Sequence, residues 1–369
     1  MLLKKWSDIL TIVNGKNQKD VVSPDGQYPI YGSGGVIGCA SSYLCEAGTT
    51  IIGRKGTINS PIFVDKKFWN VDTAFGISPG KELIPKFLYY FCCSFNFTEL
   101  DKSTTIPSLA KRDLLQIKMP VPSIEEQERI VSKIEELFSR LDASVAELQT
   151  AKEKLKIYRQ TVLYKAFQNL TDTITMDEVA DMIDPQPSHR TPPEVSNGVP
   201  YVGVGDIDYS TRKINFAEAR KVSSSVLQEH QERYTIHKGD FIMGKIGTIG
   251  KPFMVPLPQN YTLSANVILI QPNYTKILPE FLYWQFSAPL VTQQLTVGAA
   301  ATSQPAFGIK KARLLSIRIC DIEQQRQITN EIEKSLSVCD SIEQTIDISL
   351  HQAEALRQSI LKRAFEGEL

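Results

Sequence analysis

Metal and disulfide chemistry have little to work with in this chain. Its six cysteines show no Cys-x-x-Cys spacing, and its four histidines, His189, His230, His237 and His351, are scattered. That argues against zinc sites and a disulfide framework, and fits a reducing cytoplasm. No apolar run approaches the roughly 20 residues of a membrane span, and Met1–Leu10 is too short and too charged for a signal peptide. Neither charge sign is in excess, with 41 basic and 41 acidic residues. Net charge therefore gives no pointer to nucleic acid, and the acidic surplus that exists falls after residue 321.

Catalytic signatures are missing as well. Gly244–Lys251 imitates a phosphate loop, but its glycines are one residue too far apart and Pro252 stands where Ser or Thr is needed. Gly203-Val204-Gly205 lacks the third glycine of a dinucleotide fingerprint, and Asp184-Pro185-Gln186-Pro187 is not the Asp/Asn-Pro-Pro-aromatic motif of amino-methyltransferases. No nuclease-like carboxylate cluster is present, so a self-contained methyltransferase or nuclease is disfavoured.

What is there is a repeat. Residues 124–167 reappear as 322–365 at a constant offset of 198, without insertion. Ile124, Glu125, Gln127, Ile130 and Ile134 match Ile322, Glu323, Gln325, Ile328 and Ile332; Asp142, Arg159, Leu163 and Phe167 match Asp340, Arg357, Leu361 and Phe365. Ser123 with Glu126, and Asp321 with Gln324, form capping boxes at the starts, while Asn169 and Gly367 suit left-handed caps at the ends. Each copy is a helix of about 66 Å at 1.5 Å per residue. Its apolar positions repeat every seven residues in two rows. In the first copy these are Ile134, Leu141, Leu148, Leu155, Val162 and Ile130, Leu137, Ala151, Tyr158. In the second they are Ile332, Cys339, Ile346, Ala353, Ile360 and Ile328, Ser335, Ile342, Ser349, Leu356. Such a pattern predicts a coiled coil between the two helices.

The globular stretches repeat too. Gly53-Arg54-Lys55-Gly56-Thr57-Ile58 aligns with Gly244-Lys245-Ile246-Gly247-Thr248-Ile249, Ile84–Tyr90 with Leu278–Trp284, and the closing strand Leu114–Met119 with Leu314–Ile319. The chain therefore divides into a domain (1–122), a helix (123–169), a second domain (170–320) and a second helix (321–369). The fold class is α+β: two similar α/β domains and two long helices in a pseudo-twofold repeat. The domains differ where each begins, and Asp184–Pro192 has no counterpart in the first.

In Gly-Arg/Lys-x-Gly-Thr a cation and a hydroxyl stand beside amide groups on a sharp turn, a combination that suits a phosphate oxygen. A turn kept only for folding explains the same glycines, and the same holds for Gly32-Ser33-Gly34-Gly35. Ser188, His189 and Arg190 lie in a Pro-bounded loop, and Thr104-Thr105 and Thr302-Ser303-Gln304 each precede a proline. These are candidate base or phosphate contacts, or else solvated loops.

At Met119-Pro120-Val121-Pro122-Ser123-Ile124-Glu125-Glu126-Gln127 the chain resembles the specificity subunit of type I restriction-modification systems, with Ile322-Glu323-Gln324-Gln325 as a second instance in which Cys320-Asp321 replaces the prolines. Tyr28–Gly35, Asp184–Pro192 and Gly244–Gly250 are similar to stretches of that family's target-recognition domains. The resemblance implies a non-catalytic reader of double-stranded DNA. Each domain would bind half of a bipartite target, and the helices, paired antiparallel, would set the spacing. Two methyltransferase subunits carrying S-adenosylmethionine, the source of adenine methylation, would dock on the helices; a motor-nuclease subunit is a further partner. No cofactor is implied in this chain. Arg54, Lys55, Thr57, Lys245 and Thr248 are then the expected DNA contacts, with Ser188, His189, Arg190, Thr302, Ser303 and Gln304 beside them. Glu125, Gln127, Glu323 and Gln325 are the expected partner contacts. The rival class is a two-domain coiled-coil scaffold for protein ligands, separable by a salt-dependent duplex DNA shift.

Overall fold

The computed structural model describes residues 2–188, 190–299 and 306–369. The chain forms two compact units, residues 1–150 with 346–369, and residues 151–345. Each unit holds one globular domain and a portion of both long helices.

The first domain runs β1 (Leu3–Lys5), α1 (Trp6–Ile9), β2 (Leu10–Asn14), β3 (Tyr28–Gly32), β4 (Gly35–Ala40), β5 (Thr49–Gly53), β6 (Ile62–Val64) and β7 (Trp69–Asn70). It continues through β8 (Ala74–Pro79), α2 (Pro85–Ser94), α3 (Lys111–Leu114) and β9 (Lys118–Pro120) into α4 (Ile124–Gln168). A four-stranded antiparallel sheet in the order β2-β8-β5-β6 carries the core, with β5 buried at every residue. A smaller sheet, β4-β3-β7, pairs β3 with β7 in parallel. The expected closing strand Leu114–Met119 is shorter than its alternation implies: Leu114 ends α3, and pairing with β1 begins only at Lys118.

The second domain runs β10 (Thr173–Thr175), α5 (Met176–Val179), β11 (Ala180–Ile183), β12 (Val199–Val202), β13 (Ile207–Asp208), β14 (Lys213–Ile214), β15 (Lys221–Val222) and α6 (Ser224–Gln231). Then come β16 (Phe241–Gly244), β17 (Pro252–Met254), β18 (Thr262–Leu263), β19 (Val267–Pro272), α7 (Pro279–Gln285), α8 (Pro289–Ala299), α9 (Ile309–Arg313), β20 (Ser316–Arg318) and α10 (Ile322–Glu366). Its sheet β11-β19-β16-β17 repeats β2-β8-β5-β6 strand for strand, and β12 pairs β18 in parallel as β3 pairs β7. The hairpin strand β4 has no equivalent. Its place beside the parallel pair goes to β15, after an inserted β13–β14 hairpin.

Both long helices are 45 residues. In the first unit Arg129 Nη2 donates to the Leu369 carbonyl at 2.8 Å and Arg357 pairs with Asp142, so rising numbers on α4 meet falling numbers on α10. In the second unit Lys152 faces Glu343 at 3.9 Å and Arg159 bonds Asp340 at 2.6 Å, again antiparallel. The Asp142–Arg357 and Asp340–Arg159 pairs are one interaction written twice at the repeat offset. Partly exposed ion pairs of this kind contribute under about 1 kcal/mol; they set register more than stability. Burial comes from the apolar ends. Ile360, Leu361 and Ala364 of α10 join Ile130, Val131 and Ile134 of α4 in the core of Trp6, Phe87 and Phe97. In the second unit Leu163 and Phe167 of α4, with Ile332 and Leu336 of α10, join the core of Phe241, Phe281 and Phe286.

Three helix details differ from expectation. The row through Ile134, Leu155, Ile332, Cys339, Ile346 and Ile360 is buried, but the second row opens to solvent at Ala151, Tyr158, Ile342 and Leu356. Ile130 of that row is buried where α4 meets the core of the first domain, and Ile328 and Ser335 are half-buried. Ser123 and Asp321 do cap, accepting from the amides of Glu126 and Gln324, but Glu126 turns its carboxylate to Arg129 instead of closing the box. Gly367 takes the left-handed conformation at the end of α10, whereas Asn169 does not.

Candidate nucleic-acid interface

The glycine turn leaves the end of β5 in the first domain and of β16 in the second. A side-chain carbon on Gly53 would fall 2.0 Å from the Thr57 carbonyl oxygen, and one on Gly244 would fall 1.7 Å from that of Thr248. Gly56 and Gly247 have φ of 80° and 78°, where L side chains are strained. The glycines are thus fully accounted for by the turn. Its amides are also engaged: Arg54 and Lys55 N–H donate to the Thr73 carbonyl, Gly56 N–H to Pro107, and Lys245 N–H to Asn266. The expected cradle of exposed amides is therefore not open at these positions, and anion contact falls to side chains.

In the first domain those side chains face outward. Arg54, Lys55 and Thr57 are exposed; the Arg54 guanidinium lies 5.9 Å from the Phe75 ring centre and reaches the Asp72 carbonyl at 3.4 Å. Two further loops meet this turn. Ser33 of the β3–β4 tip abuts Gly53, and the Gly56–Pro107 and Leu109–Arg54 backbone bonds bring in the exposed Thr104-Thr105 segment. Val36, Ile37 and Ile106 are large apolar side chains exposed on these loops. Three of the glycine- and threonine-bearing stretches singled out in the sequence thus converge at one end of the domain.

The second domain differs at the matching residue. Lys245 is 8% exposed, and its Nζ donates to Asp184 Oδ2 at 2.8 Å. This corrects the expectation of a free cation at that position: the charge is spent tying the turn to the start of the 184–192 stretch. Thr248 remains exposed, as do Ser188 and Arg190. His189, Thr302, Ser303 and Gln304 lie outside the described residues. The Ile246–Ala306 bridge and the Phe307–Lys245 backbone bond nevertheless attach residues 306–307 to the turn as Ser108 and Leu109 attach in the first domain.

Gln127 and Gln325 are not surface contacts. Each is fully buried at the start of its helix. Ile84 N–H donates to Gln127 Oε1 at 2.9 Å, and Gln127 Nε2 donates to the carbonyls of Glu82 at 2.8 Å and Pro122 at 3.0 Å. Gln325 repeats all three with Leu278, Lys276 and Cys320 at 2.8, 3.2 and 2.9 Å. The glutamines clamp the long helices to the N-termini of α2 and α7, where the N-cap amides of Ile84 and Leu278 have no acceptor within their own helix. Glu125 and Glu323, two residues earlier, are exposed.

Two features escaped the sequence. Val204, in a stretch dismissed as a failed dinucleotide motif, sits against Gly244 as Ser33 sits against Gly53. The dissimilar side chains hid the match, which only the shared parallel pairing of β3 and β12 reveals. His230, one of the scattered histidines, is fully buried and hydrogen-bonded to Gln186 and Thr262. Burial, aided by Arg233, holds its imidazole below the ordinary histidine range. Among the described residues no group of three or more His, Cys, Asp or Glu could hold a metal ion, and no helix is long and apolar enough to cross a membrane.

Matched helices and two copies of one scaffold with unlike loops define a duplicated coiled-coil protein. The model of the type I restriction modification DNA specificity domain matches residues 3–153 and again residues 172–352. The chain belongs to the family of type I restriction-modification specificity subunits, with two copies of its domain. It is 24% identical to the EcoBI type I restriction enzyme specificity subunit of Escherichia coli over 349 residues, covering 86% of this chain and 73% of that one. Its identity to a putative type I restriction enzyme specificity subunit of Haemophilus influenzae is 22%, over 95% of this chain and 91% of the relative. Among solved structures, a chain from work on assembly and conformational transition of the type I R-M system superimposes with a TM-score of 0.76 at 16% identity, covering 100% and 98% of the two chains. The HsdS subunit from Thermoanaerobacter tengcongensis gives 0.56 at 17%, covering 100% and 97%. At such identities the structural likeness speaks for the fold.

Proposed function

We propose that each globular domain reads one half of a bipartite, asymmetric double-stranded DNA target, and that the helix pair sets the gap between the halves. The observation that carries this is the combination of a repeated framework with unrepeated loops: sheets, glycine turns and glutamine clamps agree, while the β3–β4 tip and the 184–192 stretch do not. Exposed Arg54, Lys55 and Thr57 would contact backbone phosphates from the first domain, and Thr248, Ser188 and Arg190 from the second. Family membership supports the reading, as do the relatives, which are specificity subunits of type I restriction enzymes.

Two methyltransferase subunits would dock on the helices, bringing S-adenosylmethionine and adenine methylation, and motor-nuclease subunits would join in a restricting complex. The exposed apolar residues Tyr158, Ile342 and Leu356 and the exposed Glu125 and Glu323 are surfaces such partners would use. The test is domain exchange. Replacing residues 1–122 with another family member's first domain should change one half of the methylated sequence and leave the other, as mapped by sequencing methylated adenines in a host carrying the partner. A change in both halves would contradict modular reading.

A further inference from the structure

The 184–192 stretch has no counterpart in the first domain, yet it is tied down from beneath by a chain of buried polar groups. Gln186 is 8% exposed, and its Nε2 donates to Ser188 Oγ at 2.9 Å and to the Arg190 carbonyl at 3.1 Å. With both amide hydrogens used, its Oε1 faces His230 Nε2 as acceptor. His230 Nε2 must then carry the hydrogen, which leaves Nδ1 bare to accept from the Thr262 hydroxyl. Thr262 Oγ1 lies 3.2 Å from the Tyr234 hydroxyl, which accepts from Leu263 N–H at 3.3 Å. Every donor points the same way, from Leu263 through Tyr234, Thr262 and His230 to Gln186, and a single neutral tautomer satisfies them all. His230 and Thr262 are fully buried.

We propose that His230 is a positioning residue for the second domain: through Gln186 it fixes the segment that presents Ser188 and Arg190, and thereby sets how sharply that domain discriminates its half of the target. The inference rests on the DNA-reading function proposed above. Gln186 bonds both the Ser188 hydroxyl and the Arg190 carbonyl, and the His230 donor on its oxygen fixes the orientation of the amide that makes both bonds. A rigid loop favours one base sequence because misplaced polar contacts are costly on the wrong one, whereas a slack loop adapts to several. Lys245, bonded to Asp184, anchors the start of the same stretch.

The test uses the complex assembled with its methyltransferase subunits and duplexes that carry the full target or one base-pair change in either half. Methylation rates are read with labelled S-adenosylmethionine, after exchange of residues 170–320 has shown which half belongs to the second domain. His230→Phe, Thr262→Val and Gln186→Glu should each lower discrimination in that half by about fivefold, the scale of one lost hydrogen bond, and leave the other half unchanged. Thr262→Ser, which keeps the hydroxyl, should behave as the parent. Should His230→Phe fail to fold, Gln186→Glu decides, since its carboxylate still accepts from His230 but can no longer donate to Ser188 and Arg190. Unchanged discrimination in Gln186→Glu, or equal loss in both halves, overturns the proposal while leaving modular reading intact. An exchange of residues 170–320 that alters neither half overturns both.

Discussion

The two glycine turns share a backbone and differ in one decisive side chain. In the first domain Arg54 lies outside, against Phe75, while in the second Lys245 is folded inward onto Asp184. The second domain carries an extra stretch to be held and uses its turn cation to hold it; the first has no such stretch and leaves the cation exposed. Duplication thus preserved the support and freed the position to do different work. The same division holds elsewhere: Gln127 and Gln325 make the same three bonds, whereas β4 in one domain and β15 in the other occupy the same sheet position by different routes.

The largest effects should fall on what the domains share. Gly53→Ala and Gly244→Ala each force a carbon into a carbonyl oxygen and should cost about 3 kcal/mol or more in chemical denaturation, with Gly34→Ala, which meets nothing within 4 Å, nearly neutral. A large cost in one domain alone would break the equivalence of the turns. Next, Gln127→Leu and Gln325→Leu orphan a backbone amide and two carbonyls at a helix start, and each should lose about 2–3 kcal/mol. If those variants instead folded normally but no longer assembled with partners, the glutamines would be docking residues after all.

Smaller effects should separate the domains. Lys245→Ala leaves the Asp184 carboxylate without its cation and should destabilise by about 2 kcal/mol, discounted from a fully buried pair because both groups retain some solvent. Arg54→Ala should change stability by under about 0.5 kcal/mol but weaken duplex binding, lowering the slope of log affinity against log salt by about one. Equal behaviour of the two variants in both measurements would erase the contrast. Least of all, Asp142→Asn and Asp340→Asn should each cost under about 1 kcal/mol, with Asp340→Asn the larger because it also loses its contact to Arg212.

The helices, their length and the repeat were legible because a heptad pattern and a gapless offset are local, periodic signals. The inward turn of Lys245 was not, because its partner Asp184 is 61 residues away and nothing in either neighbourhood marks the pairing. Gln127 looked like a surface motif since its acceptors and donors lie in a loop some 43–45 residues upstream. The outer heptad row is interrupted by Ser144, Ser335 and Ser349 while the inner row has no such break, a difference in the sequence that marks which row two helices leave uncovered. Of the candidate DNA contacts, the residues were found where a turn or Pro-bounded loop announced them, but side-chain direction depended on distant packing.

The central claim is that the paired helices measure distance between independent readers. Removing seven residues from each helix at matching places, 147–153 and 345–351, keeps the heptad register and shortens the rod by about 10 Å, or about three base pairs of duplex. Mapping of methylated adenines in a host carrying that variant and its partner should show both half-sites unchanged and the gap between them reduced by about that number. An unchanged gap, with the variant folded and active, would contradict the account.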